Sequence, residues 1–325
     1  MYTRQIRLAG LLALSFFLYW SGGARARAAC LPANGLPAQW PSAAHAGQVA
    51  VPAGRFVKGS MDGYADERPL RPVEVQAFWI DATEVSNAQF RRFAQATGYV
   101  TEAERAGASA VFVVPTEQAL RSRPMAWWRR VQGANWRHPD GPGSTLLGKD
   151  AWPVVHVTLA DAQAYARWLG RELPTEAEWE YAAKAGRQGP ELDVAPRDLK
   201  GRPQANYWQG NFPLLDTAED GHRGVAPVGC YAPNPWGLYD MVGNVWEWTA
   251  DAHAGVIQGH ANGDPAAVYT APAQLGDRMV IKGGSYLCSP DYCVRYRASA
   301  REAQGARVSS SHVGFRTIQR AARPS

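Results

Sequence analysis

The stretch from residue 282 to residue 297 reads KGGSYLCSPDYCVRYR and holds two of the four cysteines in this 325-residue chain. Cys288 and Cys293 stand five positions apart, a clustering that chance seldom produces in so cysteine-poor a chain. Thiolates are strong nucleophiles and soft metal ligands, so a close pair suits a disulfide, a redox couple or a thiophilic metal such as Cu(I). The glycines before the pair permit close backbone approach. We predict that the chemistry of this protein lies in this stretch.

Spacing alone leaves the state of the cysteines open. An exported C-x4-C pair is more often a structural disulfide than a reactive site. The other two cysteines, Cys30 and Cys230, either pair with each other or remain small buried thiols, and the sequence does not choose between these states.

The N-terminus has the order of features that marks a secretory signal peptide. Arg4 and Arg7 precede an apolar run from Leu8 to Trp20, and the small-residue site Ala26–Ala28 follows. We therefore predict a signal peptide over residues 1–28 and export, to the periplasm. The run has 13 residues, whereas a membrane-spanning helix needs roughly 20. An uncleaved leader that anchors the protein in the membrane is the alternative.

Charge argues against a nucleic-acid partner. Four of the 34 Lys and Arg residues lie in the leader, which has no acid, so the remaining 30 face 29 Asp and Glu. A net charge of +1 gives the mature chain no reason to bind nucleic acid. Its length suits one large domain or two small ones; we predict a linker over residues 29–50 and a single domain over 51–320.

Periodicity and capping residues predict few regular elements. We expect a strand and turn within Val51–Ser60, a strand over Val73–Ile80, and helices over Ser86–Gly98, Leu159–Leu169 and Thr175–Gly186. Beyond these helices Pro, Gly, Asn and Trp are frequent and long periodic segments disappear. The pattern predicts a loop-rich α+β domain whose irregular backbone is held by large aromatic side chains.

Two segments carry oxygen ligands. Residues 237–248 read GLYDMVGNVWEW and place Asp240 and Glu247 around a glycine-containing turn, as calcium loops do. The alternative is a turn whose acids are solvated or capped. A second oxygen cluster is the segment Asn206–Gly210 with the acids downstream of it. The histidines are scattered and show no zinc-binding spacing.

Taken together, these segments resemble the formylglycine-generating enzymes, the sulfatase-modifying-factor family. The similarity runs from about Pro52 to Arg316, and its discriminating part is GGSYxCx4C with Arg295-Tyr296-Arg297 after it. The resemblance implies a C-type-lectin-like, sulfatase-modifying-factor fold. It also rests on several segments outside the cysteine stretch, namely 81–87 (DATEVSN), 133–139 (GANWRHP), 171–181 (RELPTEAEWEY), 206–210 (NYWQG), 240–248 and 314–316 (GFR).

The resemblance implies a concrete activity. Family members oxidise the cysteine of a Cys-x-Pro-x-Arg motif in an unfolded or nascent sulfatase to Cα-formylglycine, with O₂ and a thiol or other reductant. Cys288 and Cys293 would bind Cu(I), where O₂ is activated. Ser285 and Trp246 would line the oxygen and substrate pocket, and the protein would be a monomer.

Structural calcium is implied as well. Asn206, Tyr207, Asp220 and His222 match one calcium site of the family, with Tyr207 and His222 contributing through backbone carbonyls. A second site is matched by Asp240, Gly243, Val245 and Glu247, where Asp240 replaces an Asn and adds charge. Calcium in these places would order a loop-rich fold.

Three positions depart from the family pattern. His312 stands where the family often has Asn, near the substrate groove, so peptide recognition is expected to differ in detail. Ala298 and Thr317 replace disulfide cysteines of the human-type enzyme. Three other interpretations stay open: a non-catalytic binding module of the same superfamily, an exported relative acting on a different substrate, and a structural protein in which Cys288 and Cys293 form a disulfide.

Overall fold

Short strands and helices joined by long loops make up the described part of the chain. The computed structural model describes residue 30 and residues 34–189, 196–253 and 277–320. The predicted signal peptide, residues 1–28, lies outside the described residues. Within them, no helix is both long enough and apolar enough to cross a membrane.

Five short α-helices lie in the described ranges: α1 (Asn87–Thr97), α2 (Glu102–Ala106), α3 (Glu117–Ser122), α4 (Leu159–Trp168) and α5 (Glu176–Lys184). The three predicted helices are confirmed with their caps. Ser86, Thr158 and Thr175 each accept a hydrogen bond from the backbone N–H three residues later, which satisfies an otherwise unpaired donor of the first turn. Gly98 closes α1 in the left-handed conformation.

Eleven strands are described: β1 (Gln48–Val51), β2 (Gly54–Lys58), β3 (Arg71–Val75), β4 (Phe78–Asp81), β5 (Ala108–Phe112), β6 (Trp128–Gln132), β7 (Trp246–Ala252), β8 (Arg278–Lys282), β9 (Arg301–Gly305), β10 (Val313–Gly314) and β11 (Ile318–Arg320). They form a three-stranded sheet β1-β4-β11, a four-stranded sheet β10-β7-β8-β9, and the hairpins β2-β3 and β5-β6. All pairings are antiparallel except β10 with β7.

The structure corrects two local predictions. The single strand predicted over Val73–Ile80 is two strands, because β3 pairs with β2 whereas β4 joins a different sheet. The segment 29–50, expected to be a linker, is packed against the domain where it is described. Trp40 is buried in the main core, and Gln48–Val51 pairs with β4. Apolar side chains in this Ala- and Pro-rich segment therefore contribute to the fold.

Aromatic side chains fill the core, as predicted. The main cluster packs Phe90 between Trp136 and Tyr165, with ring centroids 5.1 and 6.0 Å away. A second cluster centres on Ile80 and Trp179 between α5 and the three-stranded sheet. Such rings bury 150–250 Å² each, so a few of them stabilise a large irregular surface.

Cysteine pairing is resolved by the fold. Cys30 and Cys230 form a disulfide that ties the N-terminal segment to the domain, whereas Cys288 and Cys293 are free thiols. Ala298 packs in the second core cluster, and the Thr317 hydroxyl donates to Asp81 at 2.5 Å. At the two positions where the resemblance implies lost disulfide cysteines, Ala298 is thus held by packing and Thr317 by a hydrogen bond.

Candidate active site

The cysteine-bearing loop follows directly from strand β8. Gly283 and Gly284 have φ values of +98° and +75°, which side chains rarely adopt. A Cβ at Gly284 would lie 2.8 Å from the Cα of Tyr296 and 2.9 Å from the carbonyl oxygen of Arg295. The loop therefore folds back on itself at this glycine, and this close approach positions the two cysteines.

The two thiols face each other. Their Sγ atoms are 3.2 Å apart. The backbone closes a tight loop between them, since the N–H of Cys293 donates to the carbonyl oxygen of Ser289 and the N–H of Ser289 to that of Cys293, both at 3.0 Å. Cys288 is buried at 2% exposure, whereas Cys293 is half-buried. One sulfur is thus fixed within the protein and the other is partly open to a ligand.

The pair is electrostatically unequal. Burial raises the pKa of Cys288, but the hydrogen bonds from Cys293 and at Ser285 and the charge of Arg295 outweigh it, so the net pKa lies below that of an ordinary thiol. The hydrogen bond with Cys288 raises the pKa of Cys293 well above its ordinary value, and burial adds to this effect. The first proton therefore leaves from Cys288, and Cys293 remains a thiol that donates to the thiolate.

All four predicted catalytic residues line one pocket: Cys288, Cys293, Ser285 and Trp246. Ser285 is fully buried, and its hydroxyl oxygen accepts a hydrogen bond from the N–H of Leu287 at 3.3 Å. Trp246 begins strand β7, where its N–H donates to the carbonyl oxygen of His312 at 2.9 Å. The fold therefore brings residues from two distant chain segments to the thiol pair.

An aromatic wall completes the pocket. Trp127, Trp128, Phe212 and Tyr292 line it together with the predicted residues. Tyr292 stacks on Phe212 with centroids 4.4 Å apart and meets the edge of Trp127 at 5.5 Å. Sequence reasoning missed this wall, although the adjacent pair Trp127-Trp128 next to a strand was a visible signal.

A charged clamp holds the outer side of the cysteine loop. Arg295 lies over the ring of Tyr64 at 3.9 Å and pairs with Asp66 at 3.1 Å and Glu302 at 3.2 Å. Glu302 also lines the pocket. Asp66 belongs to a short 3₁₀ turn, Ala65–Glu67. This turn from the start of the domain thereby fixes the loop that carries the thiols, a contact no sequence spacing indicates.

His312, expected near the substrate groove, lines the wall of the thiol pocket. Its Nδ1 is 2.9 Å from the Ser310 hydroxyl and its ring packs on Trp128 at 4.7 Å. Burial, together with nearby His156, lowers the pKa of His312 to about 3. The imidazole is therefore neutral and presents a hydrogen-bonding group without charge.

The first predicted calcium set lies together in one loop cluster. Asp220 accepts hydrogen bonds from the backbone N–H groups of Tyr207 at 3.2 Å and His222 at 2.8 Å. The Asn206 side chain donates to Gly224 and Asn244 at 2.9 Å each. The set offers a carboxylate, an amide and backbone carbonyls, which is the donor chemistry calcium takes.

The second predicted calcium set has a different character. Both oxygens of Glu247 accept from the guanidinium of Arg316 at 2.7 Å, and one also accepts from the indole N–H of Trp179 at 2.7 Å. Asp240 accepts from the N–H of Gly229 at 2.6 Å. Both carboxylate oxygens of Glu247 are thus engaged in a buried ion pair.

The rest of that set lies close to the first one. A Cβ at Gly243 would overlap the carbonyl oxygen of Asn206, and Val245 is buried. Burial and the charges of Asp240 and Glu247 raise the pKa of Glu84 well above its ordinary value. Three buried carboxylates, Glu84, Asp240 and Glu247, thus lie around the guanidinium of Arg316. Across the described ranges, no group of three or more His, Cys, Asp or Glu side chains is arranged to hold a metal.

A family model and several known proteins match most of this chain. Residues 34–321 match the family model of the sulfatase-modifying factor enzyme 1-like domain. The chain is 44% identical over 284 residues to the formylglycine-generating enzyme of Bos taurus, covering 82% of this chain and 73% of the relative. It is 45% identical over 295 residues to that of Thermomonospora curvata, covering 86% and 96% of the two chains.

Two further matches are to an inactive relative and to a solved structure. The inactive C-alpha-formylglycine-generating enzyme 2 of Bos taurus is 41% identical over 288 residues, covering 85% of this chain and 89% of the relative. The solved structure of PvdO from Pseudomonas aeruginosa has a TM-score of 0.59 at 26% identity, covering 86% of this chain and 96% of its own. These matches confirm the predicted fold and resemblance: the chain belongs to the sulfatase-modifying-factor family of formylglycine-generating enzymes.

Proposed function

We propose that this protein oxidises the cysteine of a Cys-x-Pro-x-Arg motif in a sulfatase polypeptide to Cα-formylglycine. O₂ is the oxidant, and a thiol or another external reductant supplies electrons. The observation that carries the proposal is the pair of free thiols, Cys288 and Cys293, 3.2 Å apart in an aromatic pocket. Relatives named formylglycine-generating enzymes, at 44–45% identity, support it.

The thiol pair fits copper. Two sulfur donors in a partly open pocket suit Cu(I), which prefers soft thiolate ligands. Cu(I) held by Cys288 and Cys293 would supply O₂ activation and a place for the substrate sulfur. Because the pKa of Cys288 is lowered, that ligand is the easier of the two to deprotonate. Cys293 loses its proton on metal binding, so we expect copper affinity to rise with pH.

The remaining pocket residues bind and orient the peptide. The rings of Trp127, Phe212 and Tyr292 exclude water, which strengthens polar interactions within the pocket. The buried Ser285 hydroxyl and the neutral His312 imidazole offer hydrogen bonds to the substrate without adding charge. Trp246 packs beside Cys288 in the core and fixes the thiol side of the pocket.

Calcium has a structural place in this proposal. The Asn206, Tyr207, Asp220 and His222 set supplies suitable oxygen donors, and Ca²⁺ there would order the loop next to the pocket. At the second set the Glu247–Arg316 pair would have to open, since both carboxylate oxygens are engaged. The hydrogen bonds to Asp220 in the first set come from neutral backbone and amide N–H groups, whereas Glu247 is held by a guanidinium, so the first set is the better calcium site of the two.

Two rival functions are distinguished by different observations: the pair of thiols separates the enzyme from a binding module, and substrate identity separates it from an exported relative. An inactive relative matches at 41% identity, so family membership does not by itself establish turnover. A binding module has no use for two free thiols lining a pocket, which favours the enzyme. An exported relative with a different substrate would keep the copper site but reject the sulfatase motif.

Export is part of the proposal. The Cys30–Cys230 disulfide suits an oxidising compartment, in agreement with the predicted signal peptide. N-terminal sequencing of the protein recovered from the periplasm would show whether the leader is removed or retained as an anchor.

The test is conversion of a motif peptide. Purified protein, reduced and loaded with Cu(I), is incubated in air with a peptide containing Cys-x-Pro-x-Arg and a thiol reductant, and the peptide mass is followed. We expect loss of the thiol and appearance of an aldehyde that a hydrazide reagent captures. A peptide with Ser in place of the target Cys is the matched control. Folded, copper-loaded protein that leaves the peptide unchanged would point to a different substrate.

A further inference from the structure

One nitrogen of His312 is open to the thiol pocket. Nδ1 lies 2.9 Å from the Ser310 Oγ, whereas Nε2 makes no hydrogen bond with any of the described residues. Nε2 also retains solvent exposure, in contrast to the fully buried Nε2 of His156. Because the imidazole lines the same pocket as Cys288 and Cys293, the exposed nitrogen faces the space in front of the thiols.

Ser310 determines which nitrogen of His312 carries the proton. The Ser310 side chain is completely buried, and within the described ranges its hydroxyl has His312 Nδ1 as its partner. If an Nδ1–H donated to Oγ, the hydroxyl hydrogen would be buried without an acceptor, which is less favourable than an oxygen lone pair left unused. The hydroxyl therefore donates to Nδ1. A neutral imidazole has one N–H, so the proton lies on Nε2.

The imidazole is also held in one orientation. Its ring packs on Trp128 with centroids 4.7 Å apart. The carbonyl oxygen of His312 accepts from the N–H of Trp246, and that of Ser310 accepts from the N–H of His156, both at 2.9 Å. The Nε2–H donor is thus fixed before any ligand arrives, and ordering it on binding costs little entropy.

The donor needs an acceptor from the occupant of the pocket. The walls are mostly aromatic and aliphatic side chains and thiols, so an occupant that displaced water without offering an acceptor would leave this N–H unpaired. The volume open to water-sized molecules is about 50 Å³, which admits a side chain and the peptide groups beside it. The carbonyl oxygens on either side of a cysteine that reaches the thiols are therefore the acceptors within range.

We propose that His312, held by Ser310 with its proton on Nε2, is a substrate-binding residue that donates a hydrogen bond to a backbone carbonyl oxygen adjacent to the target cysteine. The inference rests on the proposed function, because it takes the occupant of the pocket to be a peptide. Ser310 acts through His312 and is a positioning residue.

Nitrogen NMR tests the protonation of His312 without any substrate. In protein labelled with [¹⁵N]histidine, the resonances that disappear in His312→Gln identify the residue. We expect the proton on Nε2 and an unprotonated Nδ1 whose resonance moves downfield in Ser310→Ala, as its hydrogen bond is lost. Ser309→Ala is the matched control, because the Ser309 hydroxyl lies 2.7 Å from that of Ser109 instead. A proton on Nδ1 in the wild type, or an Nδ1 resonance unmoved in Ser310→Ala, would overturn the proposal.

Peptide binding tests the acceptor. Labelled motif peptides with Ser in place of the target Cys report affinity by fluorescence anisotropy, and two further peptides carry an ester in place of the peptide bond before or after that Ser. An ester carbonyl is a weaker acceptor, so we expect one ester to weaken binding to the wild type by about fivefold. His312→Leu should bind the parent peptide about fivefold more weakly and ignore the ester, whereas His312→Gln, which keeps an N–H, should bind nearly as the wild type does.

Conversion of the Cys peptides by the same proteins separates this inference from the oxidase. Turnover by the wild type with unchanged peptide affinity in His312→Leu, or with equal ester effects in both proteins, would reject the role of His312 and keep the oxidase. Binding that depends on His312 and on one carbonyl, without any aldehyde, would keep the binding role and reject the oxidase. A folded wild type that neither binds nor converts the peptides would reject both.

Discussion

At the scale of single residues, two cysteines five positions apart acquire different chemistry. The spacing of the cysteines singles out the pair, and the family resemblance implies Ser285 and Trp246 as residues of the same pocket. It does not predict which thiol ionises. That outcome depends on Arg295 and on Glu302, a pocket-lining residue that reaches the loop only through the fold.

Replacement of one thiol should separate activity from stability. We expect Cys288→Ala to abolish formylglycine production while the free energy of unfolding falls by less than about 2 kcal/mol, because no disulfide is lost. Urea unfolding and the peptide assay measure the two quantities.

The disulfide provides the contrast. The double variant Cys30→Ser/Cys230→Ser should lose about 2–5 kcal/mol of stability yet retain turnover in its folded fraction. Global unfolding of Cys288→Ala would contradict the assignment and indicate a structural disulfide in the pocket.

The acid beside the clamp should tune the reactive thiol. The charge of Glu302 raises the pKa of both Cys288 and Cys293, so Glu302→Gln should shift thiolate formation to lower pH. The measurement is the rate of alkylation by iodoacetamide as a function of pH in the metal-free protein. Glu172→Gln, on an exposed surface, is the control. An unchanged or higher midpoint in Glu302→Gln would show that Glu302 does not act on the pair.

At the scale of elements, capping residues made the helices predictable and sheet membership made the strands hard to place. Ser86 and Gly98 bound α1 by local hydrogen bonding and backbone conformation, which any reader of the sequence can see. The break between β3 and β4 has no such signal, since it arises because they join different sheets. The 3₁₀ turn that clamps the cysteine loop depends equally on distant contacts.

Gly284 in the cysteine loop should not tolerate a side chain, because the backbone approaches it closely. In Gly284→Ala the new Cβ would meet the backbone of Arg295 and Tyr296, and we expect at least a tenfold loss of turnover as the thiols are displaced. Gly186→Ala is a matched control, because Gly186 has the same φ of +75° but no atom within 4 Å of an added Cβ. Steady-state kinetics of both variants, with circular dichroism to confirm folding, measure the difference. Equal losses would mean that backbone strain, not the close approach, matters.

At the scale of the whole molecule, aromatic clusters and buried ion pairs stabilise a fold that has few long helices or strands. The abundance of Trp and Tyr predicts the aromatic core, but the partners of buried charges are not visible in the sequence. Glu247, predicted as a calcium ligand, is held by Arg316 and Trp179 from distant segments. The pairing of Cys30 with Cys230, across a separation of 200 residues, likewise required the fold.

Buried neutral histidines should make the fold sensitive to acid. Burial lowers the pKa of His156 to about 4 and that of His312 to about 3, whereas an unfolded histidine titrates near about 6.5. Below that pH the unfolded chain binds a proton at each of these histidines, whereas the native protein does not. Each histidine therefore lowers the free energy of unfolding by up to about 1.4 kcal/mol per pH unit as pH falls towards its native pKa.

Removing one histidine should reduce this loss. We expect His312→Asn to lose less stability than the wild type between pH 6 and about 4, measured by urea unfolding at each pH. The raised pKa of Asp240, about 6 because of burial, acts in the opposite sense, but it is common to both proteins and cancels in the comparison. A difference in stability that does not change with pH would contradict the neutral state of His312.

The most direct test of the central claim measures copper stoichiometry and peptide conversion in the same reduced samples of wild type, Cys288→Ala and Cys293→Ser. If the pair is the catalytic centre, the wild type binds one Cu(I) and converts the motif cysteine to an aldehyde in air. Both variants then remain folded and lose copper and conversion together. Conversion that persists in either folded variant would contradict the account, as would a wild-type protein that binds no copper and produces no aldehyde.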